Sequence, residues 1–301
     1  MMKKGVSLIF LTAIVSGFSI FINKFGVKFT NPYVFTFLKN GLVFLILFGI
    51  MFFLKELDMF KKIKKQDWKK LIAIGFIGGS VPFLLFFKGL SITTSAKAGF
   101  IHKTMFLYVA ILAYFFLKER FNVKFFIATI TVVVGNFLFL KLSWQPFNAG
   151  DLMIFIATIF WATENTLSKH VLIDIPSKVV AFSRMFFGSI FILIFLVATG
   201  NIKDLFVLNA PQIVWSIVPT AFLVLYLLFW YEGLKHVPAT LATSILLLGS
   251  PITTLLNVIY AGAVLNLQQV VGMVMLVGGI VVFLYSVKEY EVKNVSVKSL
   301  S

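Results

Sequence analysis

Apolar runs of about 20 residues recur along the whole chain, separated by short clusters of charge or by Gly, Pro and Asn. They fall at about 5–23, 34–54, 69–88, 95–116, 124–140, 150–169, 179–199, 212–231, 239–261 and 268–286. Each has the length that a helix needs to cross the ~30 Å hydrocarbon core of a bilayer. Backbone amides find no water there, so a spanning segment is a helix or part of a closed barrel. Barrel strands are about half this length and alternate polar with apolar positions. These runs do neither, and the pattern predicts an all-α integral membrane protein with ten transmembrane helices. Lys3 and Lys4 ahead of the first run also fit a signal peptide, with Gly17-x-Ser19 as a loose cleavage site. The run continues past Ser19 to Ile22, and we read it as a span.

Composition sharpens the picture. Of 301 residues, 60% are hydrophobic and 13% charged, with a mean hydropathy of +1.00. A soluble domain has roughly 45–50% and about 25%, respectively. Ten spans use about two-thirds of the chain and leave no room for a soluble catalytic domain. The absence of cysteine excludes disulfides, thiolate metal sites and thiol nucleophiles. The net charge of +16 is dispersed along hydrophobic segments and does not read as a nucleic-acid footprint. Its placement instead gives orientation. A cytoplasmic N-terminus puts Lys55, Lys61, Lys62, Lys64, Lys65, Lys69 and Lys70 inside, with Lys118, Arg120, Lys124, Lys288, Lys293 and Lys298. Only Lys24, Lys28, Lys88, Lys141 and Lys203 fall outside, so both termini are expected in the cytoplasm of a cell with this chain in its inner (cytoplasmic) membrane. The lysine-rich second loop reads as a topology anchor or as a contact for anionic headgroups.

Shifting the sequence by about 145 positions aligns its halves. Ile22-Asn23-Lys24 falls on Leu167-Ser168-Lys169, and Phe37-Leu38-Lys39 on Phe182-Ser183-Arg184. At a shift of 144, Lys88-Gly89-Leu90 meets Glu232-Gly233-Leu234, and Gly135 meets Gly279. Five is an odd number of helices, so the second repeat enters the membrane from the opposite side, as in secondary transporters with a midplane site. The expected organisation is a first repeat at 1–145, a second, inverted repeat at 146–288 and a tail at 289–301.

On these residues the chain resembles the drug/metabolite transporter superfamily, specifically its EamA-type group of ten-helix proteins. Lys24 and Lys169 close the first helix of each repeat, and Lys39 and Arg184 stand early in the second. Gly89-Leu90 with Thr94-Ser95-Ala96, Gly233-Leu234 with Pro238-Ala239-Thr240, Leu117-Lys118-Glu119-Arg120 and Pro251 also fit. Ala263-Val264 stands where an acidic residue is usual, and Leu107 where the fourth helix would carry proline. The resemblance implies export or exchange of small metabolites, amino acids or drugs.

Ionisable groups inside spans are costly and need a partner or a task. By helical rise, Glu164 and Arg184 both lie roughly 8 Å from the inner face, a match that points to an ion pair. That pair is either structural or a carboxylate coupled to protons. Lys39, Lys97 and Lys103 lie toward the outer half, with Asp151 the nearest acidic residue. Lys39 and Lys97 are within reach of the interface by snorkelling. Lys103, close to the midplane, is not. It is paired with Glu164, neutral through burial, or reserved for an anionic ligand. His102 reads as a helix contact or a proton shuttle. Tyr108, Trp161, Tyr226, Trp230 and Tyr231 are candidate aromatic walls, the last two also candidate interfacial anchors.

The reading is a secondary transporter for small organic metabolites carrying an anionic group, working by alternating access as an exporter or exchanger. Lys103, His102, Lys39, Tyr108 and Trp161 are the candidate substrate contacts, and Glu164 and Arg184 the coupling or gating pair. Expected partners are a small-molecule substrate, the lipid bilayer and protons, with no nucleic acid; the protein is a monomer or homodimer. No cofactor and no metal are expected, because three scattered histidines with one buried glutamate make no metal site. The rivals are a multidrug or lipid-precursor transporter of the same fold, a channel and a membrane-embedded enzyme. The short loops hold no nucleophile triad, acidic pair or phosphate-binding loop, so an enzyme is not expected.

Overall fold

The computed structural model describes residues 2–26, 31–93, 95–139, 146–262 and 264–298. Lys28, Thr94, Lys141 and Ala263 lie outside the described residues, as do the side chains of Lys24, Ser95, Ala96, Lys288, Lys293 and Lys298. Among the described residues every element is helical. In chain order they are α1 (Met2–Gly26), α2 (Pro32–Phe53), α3 (Asp58–Lys61) and α4 (Lys65–Ile74). A π-helical turn (Gly75–Ser80) joins α4 to α5 (Val81–Leu90), followed by α6 (Ser95–Lys103), α7 (Met105–Phe116) and α8 (Val123–Phe139). The second half holds α9 (Ala149–Val171), α10 (Ser177–Ala198), a 3-10 turn (Asn201–Phe206) and α11 (Ala210–His236). It ends with α12 (Ala239–Leu246), α13 (Gly249–Ala261) and α14 (Leu267–Lys298).

Eight helical segments among the described residues are long and apolar enough to cross a bilayer. Three of them join shorter pieces: 65–90, 97–116 and 239–260. α8 is apolar but shorter, at 17 residues. α9 has 23 residues but carries Asp151, Glu164, Asn165 and Lys169 along its length. The outward faces of α8 and α14 expose Phe126, Ile130, Val274 and Tyr285, as lipid-facing helices do.

Helix starts are written in the sequence. Asn148 and Asp151 form a reciprocal capping box at the start of α9, and Asn209 and Gln212 do the same for α11. Packing between helices relies on small residues, as expected where lipid removes the hydrophobic drive for helix association. α8 and α14 approach through Gly135 and Gly272, α1 and α11 through Gly5 and Gly233, and α1 and α13 through Gly17 and Gly249. α10 meets the π turn at Gly188 and Gly79. Gly278, by contrast, faces open space.

Three interruptions have local causes. Pro82 has no N–H to give to the carbonyl of Gly78, four residues back, and the chain there widens into the π turn. Pro251 likewise withholds a donor from Leu247, where α12 gives way to α13 through the short bonds Leu247 N→Ser244 O (3.2 Å) and Ser250 N→Leu247 O (3.0 Å). The α6/α7 break at Thr104 needs no proline. The Thr104 hydroxyl donates to Ile101 O at 2.6 Å, and Leu107 N–H reaches only to Thr104 O, at 2.9 Å.

One membrane face is stitched by side chains from distant segments. Glu232 near the end of α11 pairs with Lys4 (2.9 Å) and accepts from the Ser177 hydroxyl (2.8 Å), with His236 at 3.2 Å. Glu56 pairs with Lys178 at 2.6 Å. Lys169 donates to Leu234 O at 2.8 Å. A left-handed residue, Lys118, closes α7 and lets Glu119 N–H bond Ala113 O at 3.1 Å. Glu119 then accepts from the N–H groups of Ala239 (2.6 Å) and Thr240 (3.3 Å) at the start of α12. Glu119 and Glu232 thus tie together segments remote in sequence, and His170 and His236 lie in the last turns of α9 and α11. Glu119→Ala is expected to cost about 1–2 kcal/mol, the loss of a helix cap, measurable as a lower melting temperature in detergent. An unchanged melt would show that the cap carries no stability.

Candidate functional site

The π turn is the hub around which buried polar groups gather. The Gly78 carbonyl, released by Pro82, accepts from Trp161 Nε1 (3.1 Å) on α9 and from Arg184 Nη2 (3.1 Å) on α10. The next carbonyl, Gly79, accepts from Asn40 Nδ2 on α2 at 3.0 Å. A carbonyl buried in hydrocarbon must find donors, and these three side chains supply them. Gly78 has no Cβ because one would sit 2.3 Å from Glu164 Cγ.

Glu164 and Arg184 face each other across this turn, with Oε2 and Nη1 3.3 Å apart and both residues at most 5% exposed. The Tyr231 hydroxyl donates to Glu164 Oε1 at 2.6 Å while accepting from Arg184 Nη1 at 3.0 Å. Ser168, one turn along α9, also donates to Oε1 at 2.6 Å. The charges of this pair cancel, yet its hydrogen bonding is incomplete. Glu164 Oε2, Arg184 Nε and the nearby Asn40 Oδ1 have no hydrogen-bond partner among the described residues.

Lys39 lies on the other side of an aromatic wall. Its ammonium is 4.4 Å from the Phe87 ring centre, 5.2 Å from Phe35 and 5.3 Å from Phe83. The residue is 2% exposed, so it does not snorkel to the interface. Ring faces attract a desolvated cation by up to about 2 kcal/mol but leave its charge uncancelled. The wall continues from Phe83 to Trp161 (5.2 Å between ring centres) and from Trp161 to Phe86 (5.4 Å) and His102 (5.1 Å). Lys103, at the end of α6 beside the Thr104 break, is 6% exposed. Among the described residues its ammonium has neither a hydrogen bond nor an ion pair. The Glu164–Lys103 pair is not formed: Glu164 faces Arg184 instead, and its Oε1 accepts from Tyr231 and Ser168. Lys97 is held by Asp151 at 2.6 Å and is no part of the charge excess.

Thus His102, Trp161 and Lys39 share one aromatic cluster, with Glu164 and Arg184 joined to it through Gly78 and through Phe83. Tyr108 stands apart, its ring against Phe155 at 5.9 Å. Trp230 and Tyr231 are fully buried and are not interfacial anchors; Trp230 Nε1 donates to Asn165 Oδ1 at 3.1 Å. The phenylalanines of α5 escape notice in a phenylalanine-rich chain. Their signal is positional, since Phe83, Phe86 and Phe87 follow Pro82 at the i, i+3, i+4 spacing of one helix face. No group of His, Asp and Glu among the described residues is placed to hold a metal ion.

The model of the EamA-like transporter family matches this sequence twice, over residues 3–141 and 148–285. The chain belongs to the EamA-like transporter family. It is a multi-pass membrane protein of a family of transporters. An uncharacterized transporter of Bacillus subtilis (strain 168), YyaM, is 26% identical over 283 residues, covering 88% of this chain and 90% of its own. Another from the same organism, YetK, is 26% identical over 279 residues, covering 84% and 79%. A solved crystal structure, 16% identical, superposes with a TM-score of 0.75 over 94% of this chain and 98% of its own, which shows a shared fold. In this EamA-family chain the polar hub, the aromatic wall and Lys39 adjoin one another in the helical core, and Lys103 is buried next in sequence to His102 of that wall.

Proposed function

We propose that the protein is a secondary transporter that moves small organic metabolites bearing an anionic group across the cytoplasmic membrane by alternating access, as an exporter or exchanger. The observation that carries this reading is the pair of buried ammonium groups, Lys39 and Lys103, which have no carboxylate partner among the described residues. A substrate carboxylate or phosphate supplies the missing charge, while His102, Trp161 and the α5 phenylalanines contact its organic part. Lys103 lies where α6 is interrupted, the kind of irregular backbone that lines transporter sites.

The architecture in this reading is ten spans in two inverted five-helix repeats, residues 1–145 and 146–288, with both termini and the 289–301 tail in the cytoplasm. Packing supports it. α1 packs on α11 as α9 packs on α5, on α13 as α9 on α7 and on α12 as α9 on α6, while α2 and α8 pack on their counterparts α10 and α14. The interruptions at Thr104 and Leu248 stand 144 positions apart, the offset that aligns the halves. Rocking of one repeat against the other then exposes the lysines to each side in turn. Glu164 is the coupling group: protonation neutralises it and frees Arg184 from its partner.

A thermal-shift screen of purified protein tests the substrate class, since a ligand stabilises the state that it binds. Amino acids, organic acids or phosphorylated compounds should raise the melt, and analogues without the anionic group should not. Shifts given only by neutral or cationic compounds would overturn the reading. Lys103→Met should lower transport at least about tenfold with little change in the melt, as loss of a charge-assisted contact implies; unaltered uptake removes Lys103 from the site. Glu164→Gln, whose amide oxygen still accepts from Tyr231 and Ser168, should fold with a lower melt than wild type and lose dependence on the proton gradient, and retained dependence removes Glu164 from coupling.

A further inference from the structure

Away from the central hub, a separate cavity of about 80 Å³ lies where the α7–α8 connection meets the start of α12 and the inner end of α14. It is on the stitched face, two to five residues beyond His236 and beside Glu119. Its polar lining includes Arg120, Asn122, Thr240 and Ser286. Its apolar wall is built from Phe121 and Phe125, stacked at 3.9 Å, with Phe283 edge-on at 5.1 Å from Phe125.

Two of these polar groups are unused. Thr240 is 3% exposed, yet its hydroxyl has no hydrogen-bond partner. Arg120, at the rim, makes no hydrogen bond or ion pair among the described residues. The others are committed: Ser286 donates to Asn122 Oδ1 at 2.7 Å, and both oxygens of Glu119 face the α12 amides. The carboxylate nearest the cavity is therefore spoken for, and the unpartnered charge at its rim is positive.

Size and surroundings select the occupant. Pockets for whole small molecules run to about 300–1,000 Å³, so this one holds only a compact group. Next in sequence to the lining residues Phe125 and Ser286, Phe126 on α8 and Tyr285 on α14 are 58% and 66% exposed, apolar positions on the outward faces of those helices. A phosphate attached to a pair of acyl chains fits both features. We propose that this cavity binds the headgroup phosphate of an anionic phospholipid, held by the Arg120 guanidinium and the Thr240 hydroxyl, with the acyl chains along α8 and α14. The site is independent of the transported substrate.

The experiment is native mass spectrometry of the full-length protein released from nanodiscs of mixed phosphatidylglycerol and phosphatidylcholine, with melting curves against added phosphatidylglycerol. Wild-type protein should retain phosphatidylglycerol and be stabilised by it. Arg120→Gln, an exposed position that leaves the core intact, should lower retention about tenfold, and Thr240→Val about threefold, as expected for one charge-assisted and one weaker hydrogen bond. Substituting Lys64, Lys65 and Lys69, the open lysine patch of the second loop, with Gln should leave retention unchanged. The proposal is overturned if R120Q and T240V both retain the lipid as wild type does, or if the lysine patch proves to hold it. Inorganic phosphate that displaces phosphatidylglycerol and stabilises wild type but not R120Q would reassign the site to a soluble phosphate and overturn the lipid assignment.

Discussion

Glu164→Ala is expected to lower stability by about 3–5 kcal/mol, because it leaves Arg184 charged, buried and without its counter-ion. Arg184 is 5% exposed, and its remaining contacts, Tyr231 and the Gly78 carbonyl, carry only partial charges. The Tyr231 and Ser168 hydroxyls would also lose their common acceptor. Reversible unfolding in mixed micelles measures this directly. The decisive companion is Glu164→Ala combined with Arg184→Met, which removes both charges and should recover most of the loss, since a buried pair replaced together is often near neutral. If the double variant is as unstable as the single one, the loss comes from packing around Glu164 and not from an orphaned guanidinium.

The second large effect is expected at Gly79. A Cβ there would stand 2.1 Å from the backbone oxygen of Arg184 and 3.1 Å from Gly188 Cα, and neither neighbour is a flexible side chain. Gly79→Ala must therefore push α10 off the π turn, at a cost of about 1–3 kcal/mol or more for overpacking. Because Arg184 rides on that segment of α10, its 3.3 Å approach to Glu164 should lengthen as well, so transport should fall beyond what the stability loss explains. Gly278→Ala is the matched control. It has open space around it, and alanine should be neutral or stabilise α14 by up to about 1 kcal/mol through helix propensity. Equal effects at both positions would show that close approach at the π turn is unimportant.

Both predictions concern residues visible in the sequence whose weight is not. Glu164 and Arg184 announced themselves as charges at equal depth on consecutive spans, and the helical rise alone brought them together. Gly75, Gly78, Gly79 and Pro82 stand in the third apolar run as small residues and a helix breaker, which is all that their identities convey. That Pro82 would hand one carbonyl to Trp161 and Arg184 required knowing which helices surround the turn. Tyr231 shows the same limit. Near the end of an apolar run it has the profile of an interfacial anchor, and only the packing of α11 against α9 and α10 turns its hydroxyl onto the ion pair. Lys39 seemed able to snorkel because stem length is a local property; the three rings that enclose it come from α2 and from α5.

By itself the sequence determined the membrane class, the approximate spans, the family resemblance and the set of charges that a hydrocarbon core would have to accommodate. Those follow from hydrophobic length and from the cost of burying charge, both set residue by residue along the chain. Tertiary structure decided which charges cancel and which do not. Lys97 finds Asp151, Arg184 finds Glu164, and Lys39 and Lys103 find no carboxylate among the described residues. Pairing depends on distances of a few ångströms between helices remote in sequence, and Coulomb energy at such range varies too steeply for a linear pattern to specify it.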